Sequence, residues 1–335
     1  MKLIRVKIPE KRFRGLQNDF EINFPLEAGS ISTLYLAGQN GTGKSNLLEL
    51  LSEIFFYLDS LNLEHGSQTL FNDKAFAFEI EYRIKIHAGH LAASLFREEF
   101  FYVEDDTKWV QVLITKAMHL QPVFNIVSVS GNLLIVNDSD YKDFSSEKIT
   151  QHILPKKIIG YSSGQNELLS NSFLKMRYHY FNEYLEVMEL MEKEYDENEI
   201  SITTRIGTNL IADSKLVLLD YRNNASVFIT NALWAEMPKA DSGKQVFEEL
   251  LNITGLHSFR ITINFESLSD GSENTSVKLR PELNAFINKL KRCTPFFIDN
   301  ELPSTENEEK HHRKIILDFF VDETIREAFK REFPD

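Results

Sequence analysis

Cysteine is almost absent from this chain of 335 residues, with Cys293 standing alone. An internal disulfide is excluded, every zinc pattern built on cysteines fails, and the composition suits a reducing, cytoplasmic setting. Long apolar runs are absent as well, so no segment is expected to cross a bilayer and no membrane partner is expected. No secretion signal is legible, because Met1 to Ile8 alternates charged and apolar residues in the manner of a half-buried strand. Net positive charge is lacking: 37 Lys and Arg stand against 50 Asp and Glu, for a formal charge of −13. That sign argues against nonspecific attraction of the whole surface to nucleic acid. It leaves room for a local basic strip, since Lys2, Arg5, Lys7, Lys11, Arg12 and Arg14 gather at the start of the chain, either beside bound phosphates or on solvated strand faces. Neither H-E-x-x-H nor G-x-S-x-G occurs, and His311-His312 sits in a polar stretch where solvation is expected rather than metal ligation.

Hydrophobic residues make up 42% of the chain, enough to bury a sizeable core, and the length suggests two domains or one large elaborated one. Within it, Gly38-Gln39-Asn40-Gly41-Thr42-Gly43-Lys44-Ser45 fits the phosphate-binding pattern G-x-x-x-x-G-K-[ST] without substitution. Ser32 to Ala37 reads as a short buried strand entering the loop, and Asn46 onward as the helix leaving it. In this pattern the glycines let backbone N–H groups turn inward around the β- and γ-phosphates. The helix N-terminus adds the positive end of its dipole, and the lysine adds a point charge. Gly38 to Asn46 are therefore the expected nucleotide-binding residues, with ATP and Mg²⁺ as ligands and the Ser45 hydroxyl on the metal. The alternative is a glycine turn ahead of an ordinary helix.

Around the loop the patterning is mixed. Lys2 to Ile8 and Phe20 to Phe24 alternate as strands. After the loop helix, Ala75 to Ile86 alternates strictly, and Glu98 to Glu104, Lys108 to Ile114, Phe124 to Ser130 and Leu133 to Asn137 follow as short strands, which predicts an antiparallel sheet. Lys157 to Tyr161 is a further strand. Asn166 to Lys193 is expected as a long helix, with Leu169, Phe173, Met176, Tyr180, Tyr184, Val187 and Met191 on one apolar face. Beyond it come a strand at Lys215 to Leu219, a helix at Asn224 to Trp234 and a strand at Phe259 to Phe265. A polar loop at Glu301 to Arg313, a segment at Ile315 to Phe320 and a last helix capped by Asp322 complete the chain. The expected division is residues 1–160, a nucleotide-binding lobe with a β insertion, and 161–335, a helical and mixed α/β lobe leading toward a further ATPase lobe that this chain is too short to build.

Phe13-Arg14-Gly15-Leu16, followed by G-x-N-G-x-G-K-S and then a β-rich stretch, resembles the ABC-type ATPase heads of RecF and SMC proteins. The resemblance implies an α/β fold: a P-loop NTPase core with an antiparallel β-rich lobe and added helices. It also makes Arg14 a candidate phosphate contact. More narrowly, Ile159 to Ser170 and Leu219-Asp220-Tyr221 look like the bacterial restriction-system-associated AAA family ATPases. Such engines carry an LSGGQ-like signature and a strand ending in Asp-Glu, which holds the magnesium water shell. Here Tyr161-Ser162-Ser163-Gly164-Gln165 and Ser267-Leu268-Ser269-Asp270-Gly271 only imitate the signature, and Tyr221 stands where the glutamate after Asp220 belongs. Gln165 is read instead as a magnesium contact, with an exposed turn residue as the alternative. Phe297-Ile298-Asp299-Asn300-Glu301 and Val321-Asp322-Glu323 are weaker Asp-Glu candidates. The catalytic residues are left unassigned.

These features lead to an ATPase of this class with slow or assisted turnover, forming a homodimer through ATP. It is expected to act on DNA, or with a nuclease or restriction subunit, in restriction or anti-phage defence. The defence context comes from the resemblance alone. A non-hydrolysing regulatory or scaffold protein is the alternative. A small-molecule kinase fits less well, because no Arg-rich lid segment is present and a β insertion stands in its place.

Overall fold

In the computed structural model the alternation read at 75–86 becomes β3 (Phe78–Lys85), with Phe78, Ile80, Tyr82 and Ile84 buried and the residues between them less so. The structure describes residues 1–10, 13–26, 33–61, 76–85, 97–104, 107–136, 152–162, 169–182, 214–234, 252, 255–268, 281–302 and 310–334. β3 lies inside a seven-stranded antiparallel sheet with β1 (Lys2–Lys7), β2 (Glu21–Asn23), β4 (Phe101–Glu104), β5 (Thr107–Lys116), β6 (Val123–Val127) and β7 (Leu133–Val136), ordered β2-β1-β3-β5-β6-β7 with β4 also on β5. One edge of β5 follows β3 along its whole length, and the other is shared, β4 taking its first half and β6 its second.

Lys2 and Arg5 of the basic strip at the chain start are spent on the outer face of this sheet. Arg5 bridges to Glu79 at 3.0 Å and Glu81 at 3.3 Å. Lys2, 1% exposed, bonds Glu104 at 2.5 Å beside the Trp109 ring. The hydrogen bond from Lys2 is the main reason that the Glu104 carboxyl is held below its ordinary range. Of the two environments expected for these cations, Lys2 and Arg5 occupy strand faces; Lys11 and Arg12 lie outside the described residues.

The inner face packs on α1 (Lys44–Ser60), whose Leu50, Ile54 and Leu58 are buried at spacings of four. Each such side chain contributes about 2 kcal/mol. Phe55 meets Tyr82 and Tyr57 meets Phe78 across this seam. The opposite side of α1 is polar and specific. Ser52 and Glu53 bond Ser172, and Asp59 accepts from the Tyr180 hydroxyl and the Lys215 backbone N–H. Ser172 and Tyr180 belong to α2, helical over the described 169–182; the remainder of the expected 166–193 helix lies outside the described residues.

Because residues 52 and 59 of α1 meet 172 and 180 of α2 in the same order, the two helices run parallel. Two further strands, β8 (Ile158–Tyr161) and β9 (Leu216–Leu219), pair in parallel. Phe173 lies against Gly160 near the end of β8, so close that a Cβ on Gly160 would come within 2.6 Å of the ring. Tyr180 meets Asp59, which also binds Lys215 just before β9. Both helices therefore run opposite to the strands, and the N-terminus of α1 faces the end from which β8 and β9 exit.

The chain divides into two compact units, Met1–Tyr221 and Arg222–Asp335. The expected boundary after 160 falls inside β8, whose partner β9 comes more than fifty residues later in the sequence. Chain order alone does not show that pairing. In the second unit β10 (Ser258–Leu268) and β11 (Phe296–Leu302) flank an antiparallel β12 (Lys310–Phe320). α3 (Asn224–Trp234), α4 (Pro281–Arg292) and α5 (Glu323–Glu332) contribute Leu233, Ile287, Leu290, Ile325 and Phe329 to one core with Ile315, Leu317 and Phe319 of β12. Phe259 stacks on Phe319 at 4.6 Å. The polar stretch 301–313 is shorter as a loop than expected: β11 reaches Leu302 and β12 starts at Lys310, because main-chain pairing with β10 continues past the apolar residues. His311 and His312 accordingly lie in a strand.

Asp59 joins α1, α2 and the start of β9 through charge-assisted bonds while only 1% exposed. Asp59→Ala is expected to lower the unfolding free energy by about 3 kcal/mol, since buried donors lose their acceptor. Urea denaturation with an unchanged midpoint would rule this out.

Candidate functional site

The loop 38–45 closes on itself through the main chain. Gly41 and Gly43 adopt left-handed φ of 87° and 92°, where a side chain is strained. Thr42 donates its Oγ1 and its N–H to the Gln39 carbonyl at 2.9 and 3.3 Å. Lys44 turns back over the loop, its Nζ donating to the carbonyls of Gly38 and Gln39 at 2.6 and 2.8 Å and lying 3.5 Å from Thr42 Oγ1. Gly43 caps α1 without a side-chain bond, and the first turn holds no acid. The first N–H groups of the helix are thus left for an outside acceptor. Ser45 is exposed, and its hydroxyl has no hydrogen-bond partner among the described residues. Uncapped amides, an exchangeable ammonium and an open hydroxyl suit a polyphosphate with its divalent cation.

Phe13-Arg14-Gly15-Leu16 is a tight turn, its ends exchanging N–H···O bonds of 3.1 and 2.8 Å, with Arg14 at φ 51°. It rides on the first turns of α1. Leu16 touches Gly43 closely enough that a Cβ there would sit 3.0 Å from its Cδ2, Gly15 lies against Asn46, and Arg14 bonds Glu49. The Arg14 guanidinium gives both Nε and Nη2 to Glu49 Oε1, at 3.1 and 2.8 Å. Glu49 Oε2 is buried without a hydrogen-bond partner among the described residues. Arg14, expected on phosphate, is thus held by a carboxylate one turn into the helix. Glu49 was the unread member of this pair; an acid inside Leu47-Leu48-Glu49-Leu50-Leu51 is the sequence signal for it.

The strand expected at 32–37 is not formed over the described 33–37, and Tyr35 is 89% exposed. A strand needs a neighbour to satisfy its N–H and C=O groups, and the described parallel sheet contains only β8 and β9. At the exit of that sheet the Ser162 N–H bonds the Leu219 carbonyl at 3.1 Å. The two segments singled out in sequence, one leading from Tyr161 toward Gln165 and one ending in Asp220, therefore leave the sheet side by side. Gln165 itself lies outside the described residues.

The weaker acidic candidates have other partners. Asp299 binds Arg313 at 2.9 and 2.8 Å and Lys291 at 2.5 Å. These cations, Arg313 foremost, hold its carboxyl at about 2. Asp322 caps α5 by accepting from the Ile325 N–H, and Ser267-Leu268 end β10, with the rest of that imitation signature outside the described residues. Burial pushes the Cys293 thiol up to about 11, which makes it a poor nucleophile. Among the described residues no cluster of three His, Cys, Asp or Glu is placed to hold a metal ion, and no helix is long and apolar enough to cross a membrane. In comparisons with known proteins no family model matches the chain, and no curated protein or solved structure matches it.

Removing Arg14 strands the Glu49 carboxylate. Arg14→Ala is expected to cost about 2–3 kcal/mol of stability, less than for a fully buried pair because Arg14 is half-exposed, and adding Glu49→Met should recover most of it. A double-mutant cycle by urea denaturation checks both steps; additive losses would contradict the pairing. For Asp299, a folded value near 2 against about 4 in the unfolded chain means that its stabilisation is present at neutral pH and is lost as pH falls from about 4 toward 2. Asp299→Asn should be less stable at pH 7 and show a shallower decline of the urea midpoint across that window than the wild type does.

Proposed function

We propose that this chain is an ATP-binding module of the P-loop class, similar to the ATPase heads of RecF and SMC proteins, that dimerises around ATP. In this reading it serves restriction or anti-phage defence on DNA together with a nuclease or restriction subunit. The observation that carries the reading is the loop 38–45. Its amides are uncapped, its Lys44 ammonium rests on two carbonyls, and it heads a helix directed toward the exit end of two parallel strands. Ligands of open α/β sheets gather at that end.

In this reading the amides from Gln39 to Ser45 and the first turn at Asn46 cradle the phosphates. Lys44 exchanges neutral carbonyls for phosphate oxygens, a trade that strengthens each bond because both partners then carry charge. Ser45 and Gln165 would hold Mg²⁺, which supplies charge neutralisation at the β- and γ-oxygens. Arg14 stays on Glu49 and steadies the helix beneath the loop rather than entering the phosphate shell.

A second reading, in which ATP binds without turnover and serves as regulatory glue, is favoured by one observation. Asp299 and Asp322, two of the acids considered for polarising water, are engaged in an ion-pair cluster and a helix cap. Phosphoryl transfer depends on positioned charge, so a missing acid lowers turnover more than affinity.

Lys44→Ala is expected to abolish ATP binding in calorimetry, as charge-assisted bonds of about 1.5–3 kcal/mol each are removed. Unchanged affinity in that variant would reject the reading. Gel filtration of the intact chain with ATP and with ADP, beside a phosphate-release assay, separates fuel from glue: an ATP-dependent dimer without turnover selects the second reading.

A further inference from the structure

The segment that leads into the phosphate loop is an apolar run left in water. Thr33, Leu34, Tyr35, Leu36 and Ala37 are all exposed, and together they form no strand. One end of the segment is nevertheless fixed. The loop that follows it sits at the head of α1, at the end from which β8 and β9 exit. A chain arriving at that end, laid along the sheet, runs in the same direction as both strands.

The main chain of β9 shows where such a chain would lie. The Lys215 and Leu219 carbonyls accept from the N–H groups of Ile158 and Ser162, so they point to the β8 side. Alternation along a strand then turns Leu216 and Leu218 to the opposite edge. At Leu216 that edge is met locally, the Ser214 hydroxyl accepting from its N–H at 3.1 Å and donating to its carbonyl at 3.3 Å. The Leu218 N–H has no hydrogen-bond partner among the described residues. β9 is also the strand that α1 reaches, through Asp59 and the Lys215 N–H, whereas β8 is met by Phe173 of α2. A strand that feeds α1 therefore belongs beside β9.

Lys44 connects this segment to the ligand. The Gly38 carbonyl, directly after the segment, takes the Lys44 ammonium as its donor, while the Gln39 carbonyl also holds Thr42. An anion that draws Lys44 away strips Gly38 of that donor, and a main-chain carbonyl in this position is satisfied by strand pairing. The free and liganded states thus differ in which group meets the Gly38 carbonyl, and a difference of that kind is what a ligand acts on when it shifts an equilibrium.

We propose that ATP binding at the loop 38–45 docks residues 33–37 as a third parallel strand on the edge of β9 away from β8, with Leu34, Leu36 and Gly38 turning their main-chain groups toward it. The inference rests on the nucleotide reading above and adds a conformational step to that site. Docking carries Leu34, Tyr35 and Leu36 out of water and gives the Leu218 N–H an acceptor.

The test uses the intact chain with saturating ATP and Mg²⁺. Amide hydrogen exchange, followed by mass spectrometry, should slow about ten-fold over residues 34–37 and at Leu218 when ATP is added. Leu36→Pro removes an N–H that faces β9 and should weaken ATP binding about five-fold in calorimetry. Tyr35→Pro removes one that faces away and should bind ATP as the wild type does. Because the free chain has no strand here, neither proline should move the urea midpoint measured without ATP. If ATP binds while exchange at 34–37 and Leu218 stays unchanged, the docking step is overturned and the nucleotide reading stands. A wild-type chain that does not bind ATP removes both. Docking is also overturned if Leu36→Pro binds ATP as the wild type does, if Tyr35→Pro weakens binding as much as Leu36→Pro, or if Leu36→Pro lowers the midpoint of the free chain, since the strand would then be in place before the ligand.

Discussion

The first unit depends on a helix with no solvent-facing side over most of its length. α1 buries its aliphatic stripe in the antiparallel sheet, and on its other side Ser52, Glu53 and Asp59 are tied to α2 and to the start of β9. These two attachments differ in kind. The apolar seam supplies free energy with little directionality, whereas the carboxylate and hydroxyl contacts set rotation and register, because each has one acceptable geometry and a penalty when missed. A helix held both ways can neither slide nor roll, so its N-terminus becomes a fixed point. The loop 38–45 takes its position from that point and needs no rigid packing of its own.

The turn Phe13 to Leu16 completes this fixation from above. It meets α1 at positions 43, 46 and 49, one turn apart along a single face. Arg14 adopts a left-handed backbone to do so, a conformation that costs free energy for a side chain with a Cβ. The bond to Glu49 and the close contact of Leu16 with Gly43 offset that strain. A larger residue at 43 would meet both the turn and an unfavourable φ of 92°. The glycine required by the loop pattern is therefore also required by the packing of a segment about thirty residues earlier in the chain.

Much of this was legible in the residues, and the exceptions share a cause. Alternation marked β1 and β3, a short-strand pattern marked β5, and the apolar spacing of Phe173, Met176 and Tyr180 marked the face that α2 turns inward. The Asp322 cap was readable because capping is local, involving a side chain and an N–H three residues on. α4 carries local signals as well: Pro281 opens it, Leu283, Ile287 and Leu290 recur at four and three, and Lys289, Lys291 and Arg292 close it. What no local pattern carries is pairing over distance. The parallel match of Ile158 with Leu216 moved the unit boundary, and the continued ladder beside β10 turned the ends of a polar loop into strand. Glu49 belongs to the same group, since its partner precedes it by 35 positions.

Two cations stand near the head of α1, and their partners assign them different work. Lys44 rests on neutral carbonyls of an exposed loop, so leaving them for an anion exchanges weak bonds for stronger ones and buries no charge in the process. Arg14 rests on a carboxylate that is almost fully buried and whose second oxygen has no hydrogen-bond partner among the described residues. Drawing the guanidinium away would leave that buried carboxylate without its counter-ion, and an anion would have to offset about 2–3 kcal/mol before gaining anything. The two residues that the family resemblance places around one ligand are thereby separated by the dielectric around their counter-ions. In the proposed reading Lys44 is the cation available to a phosphate, and Arg14 stays with the helix that carries the loop.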